Sequence, residues 1–391
     1  GAPIEGVTKA STIGAARSIL LEQNLFPTKI EERRGMLDFE LTQEKVKKKE
    51  LMHFTRQLAV FVKAGIPLTD ALVTIGDETE DVALRRCLGD MIDDLRNGGL
   101  LSVSAANHPE AFPEYYVGIL QAAELTGRLD ESLESLAGSL EREIDTRSKV
   151  VSALSYPMIV MVMAFGTVLL LAGYVLPQFK PLFEELGAEL PAPTRLMLFF
   201  SRFFTDLWFI TAAFFMMLIG IFVFLKKTEK GRGIKDRMVL KLPIVSGIVD
   251  YAILERFCRI LGAMVKAGVP LPEGLKTTTE STSNRVYKER LEVARASMLE
   301  GKGFSQPLID TELFPGAAKQ MFKVGEETGT LDEQLEVASI YFDRELEARI
   351  KKFTTMFEPI MIVFVGVIVG FVAVALVSAM YGVLNGTKGS V

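Results

Sequence analysis

The sequence has 391 residues, a formal net charge of −5, and only two cysteines and two histidines. Two cysteines are too few for a disulfide scaffold or a four-cysteine zinc site, so both are excluded. We expect neither a metal ion nor a cofactor. The acidic balance, without a basic stripe interleaved with aromatic residues, argues against a nucleic-acid partner. At about 150 residues per folded unit, the length corresponds to two or three units.

Charged residues are unevenly spread along the chain. Three runs without Asp, Glu, Lys or Arg hold 30, 19 and 29 residues and occupy 150–179, 207–225 and 359–387. About 20 apolar residues in a helix span the hydrocarbon core of a bilayer, and buried core helices of soluble proteins have shorter apolar runs. The pattern excludes a soluble globule. It predicts transmembrane helices at 157–177, 206–225 and 359–381.

The basic residues beside these spans predict their orientation, because Lys and Arg near span ends favour the cytoplasmic side. Six basic residues follow the second span within 226–237, and others precede the first and third spans within 142–149 and 344–352. The loop between the first two spans and the C-terminal tail carry few. We therefore expect a multi-pass protein with its N-terminus in the cytoplasm and its C-terminus outside.

The two segments expected in the cytoplasm are related in sequence. Phe54–Leu68 matches Phe257–Leu271 at an offset of 203, with the shared string Lys-Ala-Gly-x-Pro-Leu. Glu124–Leu133 matches Glu326–Leu335 at an offset of 202, with the shared string Thr-Gly-x-Leu-Asp-Glu-x-Leu. The prolines that open the first and third spans are also 202 residues apart. Such a fixed register predicts one module used twice, each copy leading into a membrane helix.

The predicted organisation is an all-α integral membrane protein with two repeated cytoplasmic helical-bundle domains and three transmembrane helices. Because the sequence begins with Gly1 instead of Met, we expect 1–45 to be an N-terminal cytoplasmic segment that is truncated at its start. The other segments follow in chain order: a first cytoplasmic repeat at 50–156, transmembrane helix 1 at 157–177, a short outer loop at 178–205, transmembrane helix 2 at 206–225, a second cytoplasmic repeat at 226–358, transmembrane helix 3 at 359–381 and an outer tail at 382–391.

Each module ends in apolar residues at helical spacing, which predicts one long amphipathic helix that continues into the span. The first stripe comprises Leu129, Leu133, Leu136, Leu140, Ile144, Val151 and Leu154, and the second comprises Leu331, Leu335, Ala338, Phe342, Leu346, Ile350 and Phe353. A glycine precedes each stripe, and another precedes the proline of each Lys-Ala-Gly-x-Pro string. We expect these four glycines to end helices in the left-handed conformation.

No phosphate loop, nucleophile elbow, His-Glu-x-x-His or Cys-x-x-Cys string is present, so we predict no catalytic residue and no enzyme activity. The Glu that precedes each Thr-Gly pair has two interpretations. It caps or salt-bridges part of the fold, or it docks a partner. As a hypothesis, we assign partner binding to Glu124, Thr126, Gly127, Asp130, Glu326, Thr328, Gly329 and Asp332.

The duplicated strings, each followed by a span that opens with proline, resemble those of the type II secretion F family. This family comprises the inner-membrane platform proteins of type IV pilus assembly and type II secretion. The resemblance covers roughly residues 50 to 380, and the loop at 175–191 is similar to that of the pilus branch. It implies a location in the bacterial cytoplasmic (inner) membrane and a non-enzymatic role.

The resemblance also implies partners. They are a cytoplasmic hexameric assembly or secretion ATPase, pilins or pseudopilins, other inner-membrane assembly proteins, membrane lipid, and further copies of the chain in a homo-oligomer. The implied function is to couple the ATPase to insertion of pilin or pseudopilin subunits into a growing fibre.

A small membrane transporter or channel is the alternative, because internal repeats and prolines beside spans occur there too. The predicted spans offer few polar groups near the bilayer midplane, and three spans do not form paired inverted halves. Flux through liposomes without an ATPase would favour this alternative.

Overall fold

The computed structural model describes residues 45–170, 228–242 and 245–388, with a few positions between 174 and 224. Within these ranges the chain is all-helical and contains no strand, as the sequence predicts. The described residues from Val46 onward belong to one compact unit.

Among the described residues, six helices precede the first apolar run or enter it, and this part is called here the first half. They are α1 (Lys48–Lys63), α2 (Leu68–Glu78), α3 (Val82–Arg96), α4 (Leu101–Ala106), α5 (Glu114–Thr126) and α6 (Leu129–Leu170). The second half contains α7 (Glu229–Lys241), α8 (Val245–Lys266), α9 (Leu271–Ser281), α10 (Arg285–Leu299), α11 (Ser305–Asp310), α12 (Gly316–Thr328) and α13 (Leu331–Lys388).

The two halves correspond helix by helix. Helices α2 to α5 have 11, 15, 6 and 13 residues. Helices α9 to α12 have the same four lengths in the same order. The first helices of the two series differ, because α8 has 22 residues where α1 has 16.

The apolar stripe of α6 forms the centre of the first core. Leu133, Leu136 and Leu140 are fully buried against α1 and α5, in a cluster that also contains Phe112 and Tyr116. Further along α6 the stripe leaves the core, so that Val151 and Leu154 are exposed. The stripe of α13 is buried over a longer distance, as far as Ile350, because α8 begins further from the α8–α9 turn and covers it.

The halves pack against each other through α8, which contacts both α5 and α6. Ile260, Met264 and Val269 of the second half belong to the core of the first half. Lys149 of α6 also pairs with α13: its Nζ lies 3.3 Å from Asp343 Oδ2, and it contacts Glu347. The described residues of both halves thus share one continuous packing.

The long helices α6 and α13 extend beyond the packed region, and their apolar side chains there are exposed. Leu129–Thr167 and Leu331–Phe371 are long and apolar enough to cross a membrane, and only 6 % of the most apolar window of each is buried. Each helix continues through its proline, Pro157 or Pro359. These are candidate membrane spans. The second predicted span, 206–225, lies almost entirely outside the described residues.

Candidate partner-binding corners

The predicted partner-binding residues lie at two helix–helix corners. The first corner, residues 124–130, joins α5 to α6, and the second, residues 326–332, joins α12 to α13. Gly127 and Gly329 end α5 and α12 with φ of 71° and 73°, the left-handed conformation that glycine adopts without strain. No atom would lie within 4 Å of a Cβ added at either glycine, so both corners face open space.

Glu124 reaches from α5 to the start of α4. Its carboxylate accepts hydrogen bonds from the amides of Leu101 at 2.6 Å and Ser102 at 3.3 Å, and also from the Ser102 hydroxyl. The first amides of a helix have no partner within that helix, so the carboxylate satisfies donors that would otherwise be unpaired and stabilises the positive end of the helix dipole. Glu124 therefore caps α4, which is one of its two interpretations.

Glu326 makes the same contacts in the second half. It accepts from the amides of Phe304 at 2.6 Å and Ser305 at 2.9 Å, and from the Ser305 hydroxyl. Burial pushes the pKa of Glu326 upward, but these donors outweigh it and hold the pKa below its usual value. Each glutamate lies in the last turn of the helix that follows, α5 or α12, and holds the start of α4 or α11 in place.

The other corner residues leave more polar groups available. Thr126 and Thr328 donate to backbone carbonyls one turn earlier, at 2.8 and 2.7 Å, yet both are exposed. Asp130 and Asp332 lie in the first turns of α6 and α13, as predicted, where a carboxylate is favoured by the helix dipole. Leu125, which no sequence pattern singled out, is 89 % exposed at the first corner.

The two corners flank the same segment, the turn between α8 and α9. A methyl group on Gly268 of this turn would lie 3.8 Å from Thr126 Cγ2 of the first corner. Leu271, at the start of α9, lines a cleft of about 360 Å³ together with Phe304, Glu326 and Gly329 of the second half. The corners therefore lie on either side of the start of α9 instead of at distant places.

A buried ionic cluster behind the corners escaped the sequence analysis. Arg259 of α8 is 3 % exposed; its Nε donates to Glu255 Oε1 at 2.8 Å and its Nη1 to the Ser139 carbonyl of α6 at 2.9 Å. Burial favours the neutral guanidine, but Glu255 and Glu143 outweigh it and raise the pKa of Arg259. The cation thus links the two halves from within.

Glu143 of α6 extends this cluster toward α1. It pairs with Lys48 of α1 and lies 3.1 Å from Arg256 Nη1 of α8. Burial pushes the pKa of Glu143 upward, whereas Arg256, Lys48 and Arg259 together hold it below its usual value. One carboxylate therefore holds three helices, α1, α6 and α8. The sequence shows these charges, but only packing shows that they meet.

Comparison with known proteins places this architecture in a family. The profile described as "Type II secretion system (T2SS), protein F" matches residues 54–177 and again 257–379, which together make up well over half of the chain. The chain belongs to this family. Its two matched segments begin in α1 and α8 and continue into the two candidate spans, so both halves contribute to the assignment.

Curated members of the family are similar over almost the whole chain. The type IV pilus assembly protein PilC of Myxococcus xanthus is 31% identical over 369 residues, covering 94% of this chain and 88% of that protein. PilC of Thermus thermophilus is 30% identical, with 98% and 96% covered. The type II secretion system protein F of Aeromonas hydrophila is 29% identical, with 97% and 99% covered. Relatives from both pilus and secretion systems thus align with this chain over most of their own length.

Proposed function

We propose that this chain is a non-enzymatic platform in the inner membrane of a type IV pilus or related type II secretion machine. In this role it couples a cytoplasmic assembly ATPase to the insertion of pilin or pseudopilin subunits into a growing fibre. Membership of the family supports the assignment to a pilus or secretion machine, since the named relatives are a pilus assembly protein and a secretion system protein. The coupling role is supported by the two long helices, α6 and α13, which connect the corners to the candidate spans.

The observation that carries the proposal is that each corner is the first turn of a helix that runs without interruption into an apolar span. Leu129 and Pro157 are 28 residues apart, and so are Leu331 and Pro359. At a rise of about 1.5 Å per residue, this places each corner about 42 Å from the proline of its span. A partner that moves a corner would therefore also move the continuous helix, α6 or α13, that leads from this corner into the bilayer.

The exposed corners are the proposed contact for the ATPase or for another copy of the chain. The first corner presents Leu125 and Thr126, and an exposed large apolar side chain beside polar ones is typical of a protein–protein contact. The second corner presents Thr328 and Asp332 beside the cleft that Leu271 lines. Two different surfaces, one from each half, would then meet the cytoplasmic partner.

The proposed topology has three spans, with the N-terminus in the cytoplasm and the C-terminus outside. Two candidate spans and the basic residues that precede them favour it. The two halves are proposed to be copies of one cytoplasmic module, which the matching helix lengths and the doubled family match favour.

Site-specific photo-crosslinking in cells tests the partner contact. A photoreactive phenylalanine derivative at Leu125 should give a crosslink to the assembly ATPase that disappears when the ATPase gene is deleted. Val82 provides the matched control, because it is also apolar and is 57 % exposed, at the start of α3, the opposite end of that helix from the α4 start that Glu124 caps. An ATPase crosslink of equal yield from both positions would contradict a specific contact at the corner.

Function at the corners is tested by Thr126→Ala combined with Asp130→Asn, and by Thr328→Ala combined with Asp332→Asn. Gly127 and Gly329 are left intact, because their positive φ makes any other residue strained. We expect surface pili or secreted pseudopilin-dependent cargo to be lost while the amount of the variant in the membrane stays normal. Normal assembly with both corners altered would contradict the proposed coupling.

A further inference from the structure

Three side chains of metal-binding type meet in the first half. Cys87 lies on α3, and His108 and Glu110 lie in the loop that joins α4 to α5. The Cys87 Sγ is 3.7 Å from Glu110 Oε1, and the His108 Nδ1 is 3.2 Å from the same oxygen. All three ligand atoms lie within 4.8 Å of one another.

Two of the three separations fit a tetrahedral metal centre. With zinc–sulfur bonds of about 2.3 Å and zinc–nitrogen or zinc–oxygen bonds of about 2.0 to 2.1 Å, tetrahedral angles place ligand atoms about 3.3 to 3.6 Å apart. The sulfur–oxygen and nitrogen–oxygen distances fall close to this range. The third pair, the sulfur and the imidazole nitrogen, lies within 4.8 Å, so binding an ion requires these two side chains to approach each other by up to about 1 Å.

The surroundings of the histidine agree with this use. If Nδ1 binds an ion, the ring carries its proton on Nε2, and Nε2 lies 3.8 Å from Asp90 Oδ2, which a small rotation of the Asp90 side chain would bring to hydrogen-bond distance. A ligating histidine ordinarily donates its other N–H to a carboxylate or carbonyl, which fixes the ring. Cys87 is buried, whereas Asp90 and Glu110 have side chains that are 57 % and 27 % exposed. An ion can thus enter from their side and keep water as its fourth ligand.

The second half offers an internal comparison at the matching position. Helix α10 corresponds to α3 residue by residue, and Arg290 occupies the place of Cys87. The Arg290 guanidinium donates to the Thr311 carbonyl at 3.2 Å, in the loop that follows α11. That loop, 311–315, is two residues shorter than 107–113 and contains no histidine. In the second half the Arg290 guanidinium thus occupies the position where the first half has potential metal ligands.

We propose that Cys87, His108 and Glu110 bind one divalent transition-metal ion of the zinc class, with Asp90 orienting the histidine. Binding forms one metal–sulfur, one metal–nitrogen and one metal–oxygen bond. In the metal-free chain, burial and Glu110 raise the pKa of the Cys87 thiol to about 12, so its proton passes to the solvent as the ion binds. The ion clamps α3 to the loop before α5.

Cobalt titration of the tag-free full chain in detergent tests the site, since Co²⁺ reports thiolate ligands by a charge-transfer band and tetrahedral geometry by visible bands. We expect both bands with one ion per chain, and their loss when Zn²⁺ is added. Cys87→Ser and His108→Asn should each abolish the thiolate band or the tetrahedral pattern. Cys258→Ser is the matched control, because Cys258 is also buried but has no such neighbours among the described residues, and it should leave the spectrum unchanged.

A milder variant keeps the test independent of folding defects. Asp90→Asn leaves all three ligands in place and should weaken Co²⁺ binding about 10- to 100-fold, the usual effect of removing an outer-sphere carboxylate. Circular dichroism of each metal-free variant establishes that its helices are intact. The proposal is overturned if the folded wild-type chain gives no thiolate band, or if the folded Cys87→Ser chain binds Co²⁺ with unchanged affinity and spectrum.

Discussion

Arg56 and Arg259 occupy the same position in the two halves, two residues after a buried phenylalanine, yet their surroundings are opposite. Arg56 pairs with Glu141 at 2.7 Å with both side chains nearly half exposed, 48 % and 46 %. Arg259 pairs with Glu255 at 2.8 Å with 2 % and 4 % exposed. The local sequence is therefore compatible with either environment, and the neighbouring helices decide which one is realised.

The difference arises because only one of the two matching faces is covered in the described part of the chain. The face of α8 that carries Ile260 and Met264 packs into the first half. On α1, the matching face carries Val60, which is 58 % exposed, and continues to Ile66, which is 37 % exposed. Among the described residues, two segments of matching sequence thus form a buried interface in the second half and an exposed surface in the first.

The largest expected effect is on the buried arginine. Arg259→Ala leaves Glu255 buried without its partner and should lower the free energy of unfolding by about 3 to 5 kcal/mol. Arg56→Ala removes an exposed ion pair and should cost less than about 1 kcal/mol. Urea unfolding in detergent, followed by helical circular dichroism, measures both. Equal losses would contradict the contrast between the two positions.

A second change separates charge from packing at the same place. Arg259→Met together with Glu255→Leu replaces the buried pair by apolar side chains, which is often close to neutral for stability. The double variant should therefore recover most of the stability lost in Arg259→Ala.

An intermediate effect is expected at the capping glutamates, where the two halves are alike. Glu124→Ala and Glu326→Ala each leave two amides and a hydroxyl without their acceptor and should cost about 1 to 3 kcal/mol in the same unfolding measurement. Loss in one half only would show that the halves use these residues differently.

Acid should weaken the second cap in a predictable direction. Because the folded-state pKa of Glu326 lies below the usual 4.5, the native chain binds fewer protons there than the unfolded chain. Its stabilisation is fully present above pH 4.5 and is lost as the pH falls through the folded-state value. Glu326→Gln should flatten the fall of stability below pH 4.5, and an unchanged slope would contradict this role.

The smallest expected effect concerns the corner glycines. Gly127→Ala and Gly329→Ala meet no neighbouring atom, so each should cost only the left-handed backbone strain, about 1 to 2 kcal/mol. Gly138→Ala is the control, because Gly138 also meets no atom but lies inside α6, where alanine is favoured by about 0.5 to 1 kcal/mol. Unfolding midpoints should move in opposite directions, and a stabilising corner variant would contradict the assigned conformation.

Features that depend on local sequence could be predicted. The helical class, the left-handed glycines after α1, α5, α8 and α12, and the acidic first turns of α6 and α13 all follow from spacing and capping chemistry, and the structure confirms them. The family was predictable too, because the doubled strings are specific to it.

Features that depend on distant contacts could not be predicted. The string Phe-x-Arg-x-Leu, which contains both Arg56 and Arg259, does not indicate which of the two arginines is buried. Cys87 and His108 are separated by the rest of α3 and the whole of α4, and the fold of this segment brings them together. The capping of α4 by Glu124 likewise joins residues 22 and 23 positions apart.

The spacing between corner and proline is the same in the two halves, and it sets both the distance along the helix and the rotation about the helix axis between these two points. Successive residues of an α-helix are turned by about 100°, so 28 residues fix the direction in which any bend at Pro157 or Pro359 points relative to its corner. Two rods with the same spacing have the same phase. In the proposed coupling role, a movement applied at either corner would reach the proline of its span in the same direction relative to that corner.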